Sequence, residues 1–149
     1  MEYKFKAYIK SIGQMVQVLS IDFENEIIKH EAIDYDMKMD KEIPMRNTSS
    51  FKDCNLMIYA NHKDINDKEI YEGDIVELTN TYKGMNTKSI VEIDFIDFTF
   101  AGKWAEEYSP SGYMYNPLGS YNFPIVTIEV IGNIYENPEL LGEHRKGDS

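Results

Sequence analysis

Asp64, Asp67, Glu69, Glu72 and Asp74 put five carboxylates into one stretch of eleven residues. Such a run invites a divalent-cation loop. Tested as an EF-hand opening at Asp64, Asn66 suits the third position. Lys68 then occupies the fifth, Glu69 stands where the loop needs glycine, and Ile75 stands where the bidentate Glu should close it. The match fails, and a solvated turn followed by a strand face accounts for the same acids. Within the run, Glu72-Gly73-Asp74 has its own structural explanation. Gly73 supplies a turn, and Asp74 accepts hydrogen bonds from nearby backbone N–H groups. Acid–base catalysis by two carboxylates requires a partner held at defined spacing, and nothing in the sequence selects one.

The remaining chemistry-bearing residues are scattered. His30, His62 and His144 form no H-x-x-x-H pair, and no metal site is expected. Cys54 is the single cysteine. It could pair with a histidine as nucleophile and base, but a buried bystander thiol explains it as well. No P-loop, G-x-G-x-x-G or G-x-S-x-G occurs. No catalytic residue, metal or cofactor is therefore assigned, and the protein is read as a non-enzyme.

One segment is better suited to binding. Between Ala101 and Pro124 lie Trp104, Tyr108, Tyr113, Tyr115, Tyr121 and Phe123, set among Pro110, Gly112, Pro117 and Gly119. Tyr and Trp give large contact area at low entropic cost. Trp104, Tyr108, Tyr113, Tyr115 and Tyr121 are thus the expected partner-binding residues, centred on Trp104, Tyr113 and Tyr115. The plainer reading is that these rings cover an open barrel end or pack between subunits. Stacking of nucleobases normally needs a basic groove alongside, and the neighbouring charges are Lys103, Glu106 and Glu107.

The elements that must position these residues are mostly strands. Tyr3 to Lys10 alternates, with Tyr3, Phe5, Ala7 and Ile9 opposite Lys4, Lys6 and Lys10, as a half-buried strand does. Met15 to Phe23 predicts a second strand. Glu26 to Tyr35 predicts a third strand or a short helix. Met37 to Asp53, with Pro44 and Asn47-Thr48-Ser49-Ser50, reads as a polar linker or loop. Strands are also expected at Asn55–Ala60, Asp74–Leu78, Ser89–Phe100 and Ile125–Tyr135. Regular patterning stops from Ala101 to Pro124, and long irregular segments of that kind are usually functional or disordered. Asn137-Pro138-Glu139 is an N-cap, a first-turn proline and an acid, predicting a short helix over Pro138–Leu141. Gly142 to Ser149 reads as a flexible tail.

Composition narrows the partners. The chain has 149 residues, 42% of them hydrophobic, and a net charge of −11. Residues 1–54 hold 8 Lys/Arg against 10 Asp/Glu, and residues 55–149 hold 7 against 16. The acid is concentrated in the C-terminal part, where it repels phosphate backbones. Arg46 and Arg145 are the only arginines, so direct nucleic-acid binding is not expected. There is no apolar leader near Met-Glu-Tyr-Lys and no run long enough to span a bilayer. With one cysteine, this favours the cytoplasm.

Three segments together carry a resemblance. They are Tyr3-Lys4-Phe5-Lys6-Ala7-Tyr8; Leu56-Met57-Ile58-Tyr59 running to Asp64 and Lys68-Glu69-Ile70-Tyr71-Glu72-Gly73-Asp74-Ile75-Val76; and Val130-Ile131-Gly132-Asn133-Ile134-Tyr135-Glu136-Asn137-Pro138-Glu139-Leu140-Leu141. In this order they resemble the YopX family of phage and prophage proteins. The resemblance implies a mainly β chain whose C-terminal part is an SH3-like barrel, and it supplies no catalytic residues. Two turns depart from the family pattern. Ala60-Asn61 stands where Thr-Gly is common, and Asn66-Asp67 where Asn-Gly is common.

The expected organisation is an N-terminal β-rich region with a polar linker (1–54), an SH3-like barrel with a long aromatic loop at 101–124 (55–141), and a tail (142–149). The expected function is a phage or prophage accessory protein acting by protein–protein contact, host factors included, with self-association. Small β-domains must protect strand edges, and pairing across subunits is one route. A second possibility is an acidic phosphate mimic that inhibits a host nucleic-acid enzyme or defence factor. A third is a small-ligand or nucleotide binder.

Overall fold

The computed structural model describes residues 1–96, 99–103, 115–120 and 125–145, and their side chains except at 32–35, 96, 115, 116, 120 and 143–145. The chain divides into two units, Met1–Tyr59 and Ala60–Ser149.

In the N-terminal unit, β1 (Phe5–Ile9), β2 (Gln14–Asp22), β3 (Ile27–Asp36), β4 (Lys41–Ser50) and β5 (Cys54–Lys63) lie in the order β4-β3-β2-β1-β5. All four pairings are antiparallel. Polar side chains make the turns. Asp22 Oδ1 accepts from Asn25 N at 3.0 Å and Asp36 Oδ1 from Lys38 N at 2.8 Å, the local bonding that favours Asp at turns. Ala7, Ile9, Val16, Ile28 and Cys54 form the core, with Val18, Ile21, Phe51 and Leu56 packed against it.

β5 runs on past Tyr59, and β6 (Glu69–Tyr71) pairs with it. The C-terminal unit adds β7 (Asp74–Asn80), β8 (Thr87–Ile96), β9 (Thr99–Lys103), β10 (Tyr115–Pro117), β11 (Val126–Asn133) and α1 (Glu139–Arg145). Its sheet has the order β10-β9-β8-β7-β11. Ala60, Ile70, Val76, Leu78, Val91, Ile93 and Leu118 form the core, with Phe100, Val126, Ile128 and Val130 against it. Ile75 and Val76 point to opposite faces of β7, yet both are fully buried. The strands are covered on both sides here, and the fold is compatible with the expected SH3-like architecture.

Several expectations are corrected. The segment read as a linker is largely β4, paired with β3 along its whole length from Ile27↔Ser50 to Asp36↔Lys41. Of the two readings left open for Glu26 to Tyr35, the strand is the one formed, over Ile27–Asp36. Irregularity does not begin at Ala101, because β9 continues to Lys103 and β10 pairs Tyr115 with it. The tail is helical as far as Arg145.

Candidate functional site

The acidic run of the C-terminal unit is held by its own backbone. Asp64 Oδ1 accepts the N–H groups of Asn66 (2.8 Å) and Lys68 (2.9 Å). Its Oδ2 accepts Val130 N at 2.9 Å. Asp64 N donates to Lys68 O at 2.8 Å, and Ile65 N to Ile128 O at 2.9 Å. The β5–β6 turn is thereby stitched to the outer edge of β11. Asp74 Oδ2 accepts Tyr71 N at 2.7 Å. Gly73, at φ 89, donates to Ile93 O at 2.7 Å and accepts from Ile134 N at 2.9 Å. Both aspartates are buried. Tyr71 Oη donates to Glu69 Oε2 at 2.7 Å, and Asp67 lies 3.6 Å from Lys63 Nζ on the surface.

The third resemblance segment is built the same way. Asn133 Oδ1 accepts Tyr135 N (3.0 Å) and Glu136 N (2.8 Å). Asn137 Oδ1 accepts Asn133 N at 3.2 Å, and Asn137 N donates to Asn133 O at 2.9 Å. Gly132 sits against this turn so closely that a Cβ there would lie 2.6 Å from Asn137 Oδ1. Asn137 O then accepts Leu140 N at 3.1 Å as the helix begins.

Two features escaped sequence reading. The first is an acidic face where Glu92 and Asp94 act on Glu72, and all three act on Tyr135. Burial, then Asp94 and Glu92, raise the Glu72 carboxyl above its ordinary value. Burial, then Glu72, Glu92 and Asp94, raise the Tyr135 phenol. Lys103 Nζ stands 3.8 Å from Asp94. Glu92 and Asp94 were legible as one face of a strand, but Glu72 arrives from twenty residues away through the β6–β7 turn. The second is a cleft of about 420 Å³ lined by His62, Lys63, Asp64, Ile65, Leu118, Gly119, Val126 and Ile128. Its lining combines apolar side chains with the polar groups of His62, Lys63 and Asp64.

Among the described residues, no group of three or more His, Cys, Asp or Glu is placed to hold a metal ion. His30 is buried in the N-terminal unit, with Nε2 2.9 Å from Ser49 Oγ and Nδ1 without a partner. Burial lowers its pKa. The Cys54 thiol donates to Ser50 O at 3.0 Å. Burial and the Asp53 carboxylate raise its pKa, so it stays protonated and weakly nucleophilic. Of the aromatic candidates, Tyr115 lies in β10 opposite Lys103. Trp104, Tyr108, Tyr113 and Tyr121 lie outside the described residues. Among the described residues, no helix is long and apolar enough to cross a membrane.

The family model described as YopX protein matches residues 4–142. A solved structure of protein yopX from Bacillus subtilis is 24% identical, covers 95% of this chain and 99% of its own, and superposes with a TM-score of 0.57. A solved structure of protein EF1440 from Enterococcus faecalis is 25% identical with the same coverages and a TM-score of 0.55. The curated proteins offer no match. With 139 of its 149 residues matched, the chain belongs to the YopX family.

Proposed function

We propose that this YopX-family chain is a phage or prophage accessory protein of the cytoplasm that works by protein–protein contact, self-association included, and assembles no reaction centre of its own. One observation carries this reading. The buried carboxylates of the family motif, Asp64 and Asp74, are engaged by backbone N–H groups. Acids used in this way fix turns, and they are poorly placed to move protons or bind ligands. Interaction then falls to surfaces outside the motif: the aromatic stretch with Trp104, Tyr108, Tyr113, Tyr115 and Tyr121, and the exposed strand β4. Sedimentation velocity over a wide concentration range tests the reading. The expected result is a mass above that of one chain that falls on dilution. A single-chain mass at every concentration contradicts it.

The acidic face supports a second reading, a phosphate mimic. Burial first, and then the Asp94 and Glu92 carboxylates, make Glu72 hold its proton more tightly than an ordinary carboxyl. Such a field attracts basic nucleic-acid enzymes at low salt and loses them as the Debye length shrinks. Competition with DNA for a basic host nucleic-acid enzyme, present at low salt and absent at high salt, is the expected outcome. The cleft at His62 is the corresponding support for a small anionic ligand, tested by thermal shift with nucleotides.

A further inference from the structure

The long hairpin β3–β4 leaves one edge of the N-terminal sheet open. The orientation of that edge follows from one bond. Phe51 N donates to Glu26 O at 2.9 Å, and the register continues inward as Ile27↔Ser50, Ile28↔Ser49 and so on. Hydrogen-bonded and non-hydrogen-bonded pairs alternate in an antiparallel ladder. Ser49, Asn47, Met45, Ile43 and Lys41 therefore turn their backbone groups toward β3. Glu42, Pro44, Arg46 and Thr48 turn theirs away from the molecule, the Ser50 N–H follows them while its carbonyl accepts the Cys54 thiol, and all five residues are exposed. Among the described residues, no partner stands opposite the N–H groups of Arg46 and Thr48. Pro44 is the outward-facing residue that has no N–H to offer, as edge prolines usually are.

We infer that this edge pairs with the same edge of a second copy, antiparallel about a two-fold axis through Asn47. The inference rests on the self-association proposed above and names its surface. The register is selected by the residues. Centred on Asn47, Arg46 and Thr48 of the two copies exchange both ladder bonds. Ser50 N donates to the Pro44 carbonyl of the other copy, a bond that needs no proline N–H. The reciprocal donor is missing, but the Ser50 carbonyl is already taken by the Cys54 thiol at 3.0 Å. Beyond Ser50 the chain leaves the edge in a 3-10 turn over Phe51–Asp53, so the ladder ends at the Pro44–Ser50 pair. The alternatives are worse. Centring on Pro44 opposes two residues without N–H groups. Centring on Met45 leaves each Arg46 carbonyl facing a proline. Centring on Arg46 sets two guanidinium groups side by side. Centring on Thr48 shortens the ladder.

Disulfide trapping tests the register. In it, Asn47 opposes itself at a non-hydrogen-bonded position, where Cα atoms are about 4.5 Å apart, within disulfide reach. Asn47→Cys should oxidise to a covalent dimer. Met45→Cys and Ser49→Cys should not cross-link alone, but should cross-link when mixed. The buried Cys54 thiol stays out of the reaction in all three. Thr48→Pro provides a second variant. It removes an outward N–H that β3 does not use, so the fold should hold, checked by circular dichroism, while the dimer is lost. If the wild type is a single chain at every concentration, the edge belongs to another protein's strand, and both this inference and the self-association reading fail. If wild type and Thr48→Pro both associate and Asn47→Cys stays uncrosslinked, the chain associates elsewhere and only this inference fails.

Discussion

The Asp64 carboxylate accepts the amide of Val130 at 2.9 Å across 66 residues of sequence. One oxygen closes the β5–β6 turn and the other fastens β11 to it, so a single side chain joins the second and third segments of the family motif. Replacing Asp64 with Ala leaves three backbone N–H groups without that acceptor. At roughly 1 kcal/mol for each buried donor, Asp64→Ala should lose about 3 kcal/mol in urea unfolding. Asp64→Asn keeps one acceptor oxygen and should lose less. Equal stability of Asp64→Ala and wild type would show that the motif aspartate is kept for something other than the fold.

Gly132 is required by contact with Asn137. A methyl group there meets the Asn137 amide at less than van der Waals distance, and overpacking of this kind typically costs about 1–3 kcal/mol. Gly132→Ala should lower the unfolding midpoint. Adding Asn137→Ala should cost less than the two single losses together, because the clash and the capping bond involve the same side chain. Strict additivity in the double-mutant cycle would argue against this contact.

Two of the perturbed groups, His30 and Glu72, tilt stability in opposite directions with pH. His30 has a lowered folded pKa, so the unfolded chain binds its proton first. Its contribution is present above about 6.5 and is lost as pH falls below that value. Glu72 has a raised folded pKa, so the folded chain binds its proton first. Stability from this group increases as pH falls toward 4.5 and is lost as pH rises above it. Thermal unfolding between these limits should show a shallower acid loss for His30→Gln than for wild type. Glu72→Gln should be stabilised at neutral pH, with its advantage shrinking on acidification. Parallel pH profiles for all three proteins would contradict both assignments.

Legibility in the sequence followed burial. β1 was readable because Phe5, Ala7 and Ile9 alternate with Lys4, Lys6 and Lys10, and Ala7 and Ile9 are buried. The Gly73-Asp74 turn and the helix start at Asn137-Pro138-Glu139 were readable because the turn and cap residues are chemically specific. The shape of the two departing sites, Ala60-Asn61 inside β5 and Asn66-Asp67 in the β5–β6 turn, was not. Asn61 and Asp67 adopt φ 56 and φ 64, so each takes the left-handed conformation that Asn and Asp tolerate best among side chains with a Cβ. β4 was hidden for a physical reason. An edge strand exposed on nearly every residue has no buried face to impose alternation, and Pro44 on its outward side resembles a linker residue. The acidic face was hidden because Glu72 joins Glu92 and Asp94 only through the tertiary fold.

Amide hydrogen exchange at Arg46 and Thr48 tests the central claim most directly. In a single chain both N–H groups face solvent, while those of Asn47 and Ser49 are held by β3 and serve as internal controls. Protection at Arg46 and Thr48 that grows with protein concentration, against constant protection at Asn47 and Ser49, is the expected result. Fast exchange at Arg46 and Thr48 at every concentration would contradict it.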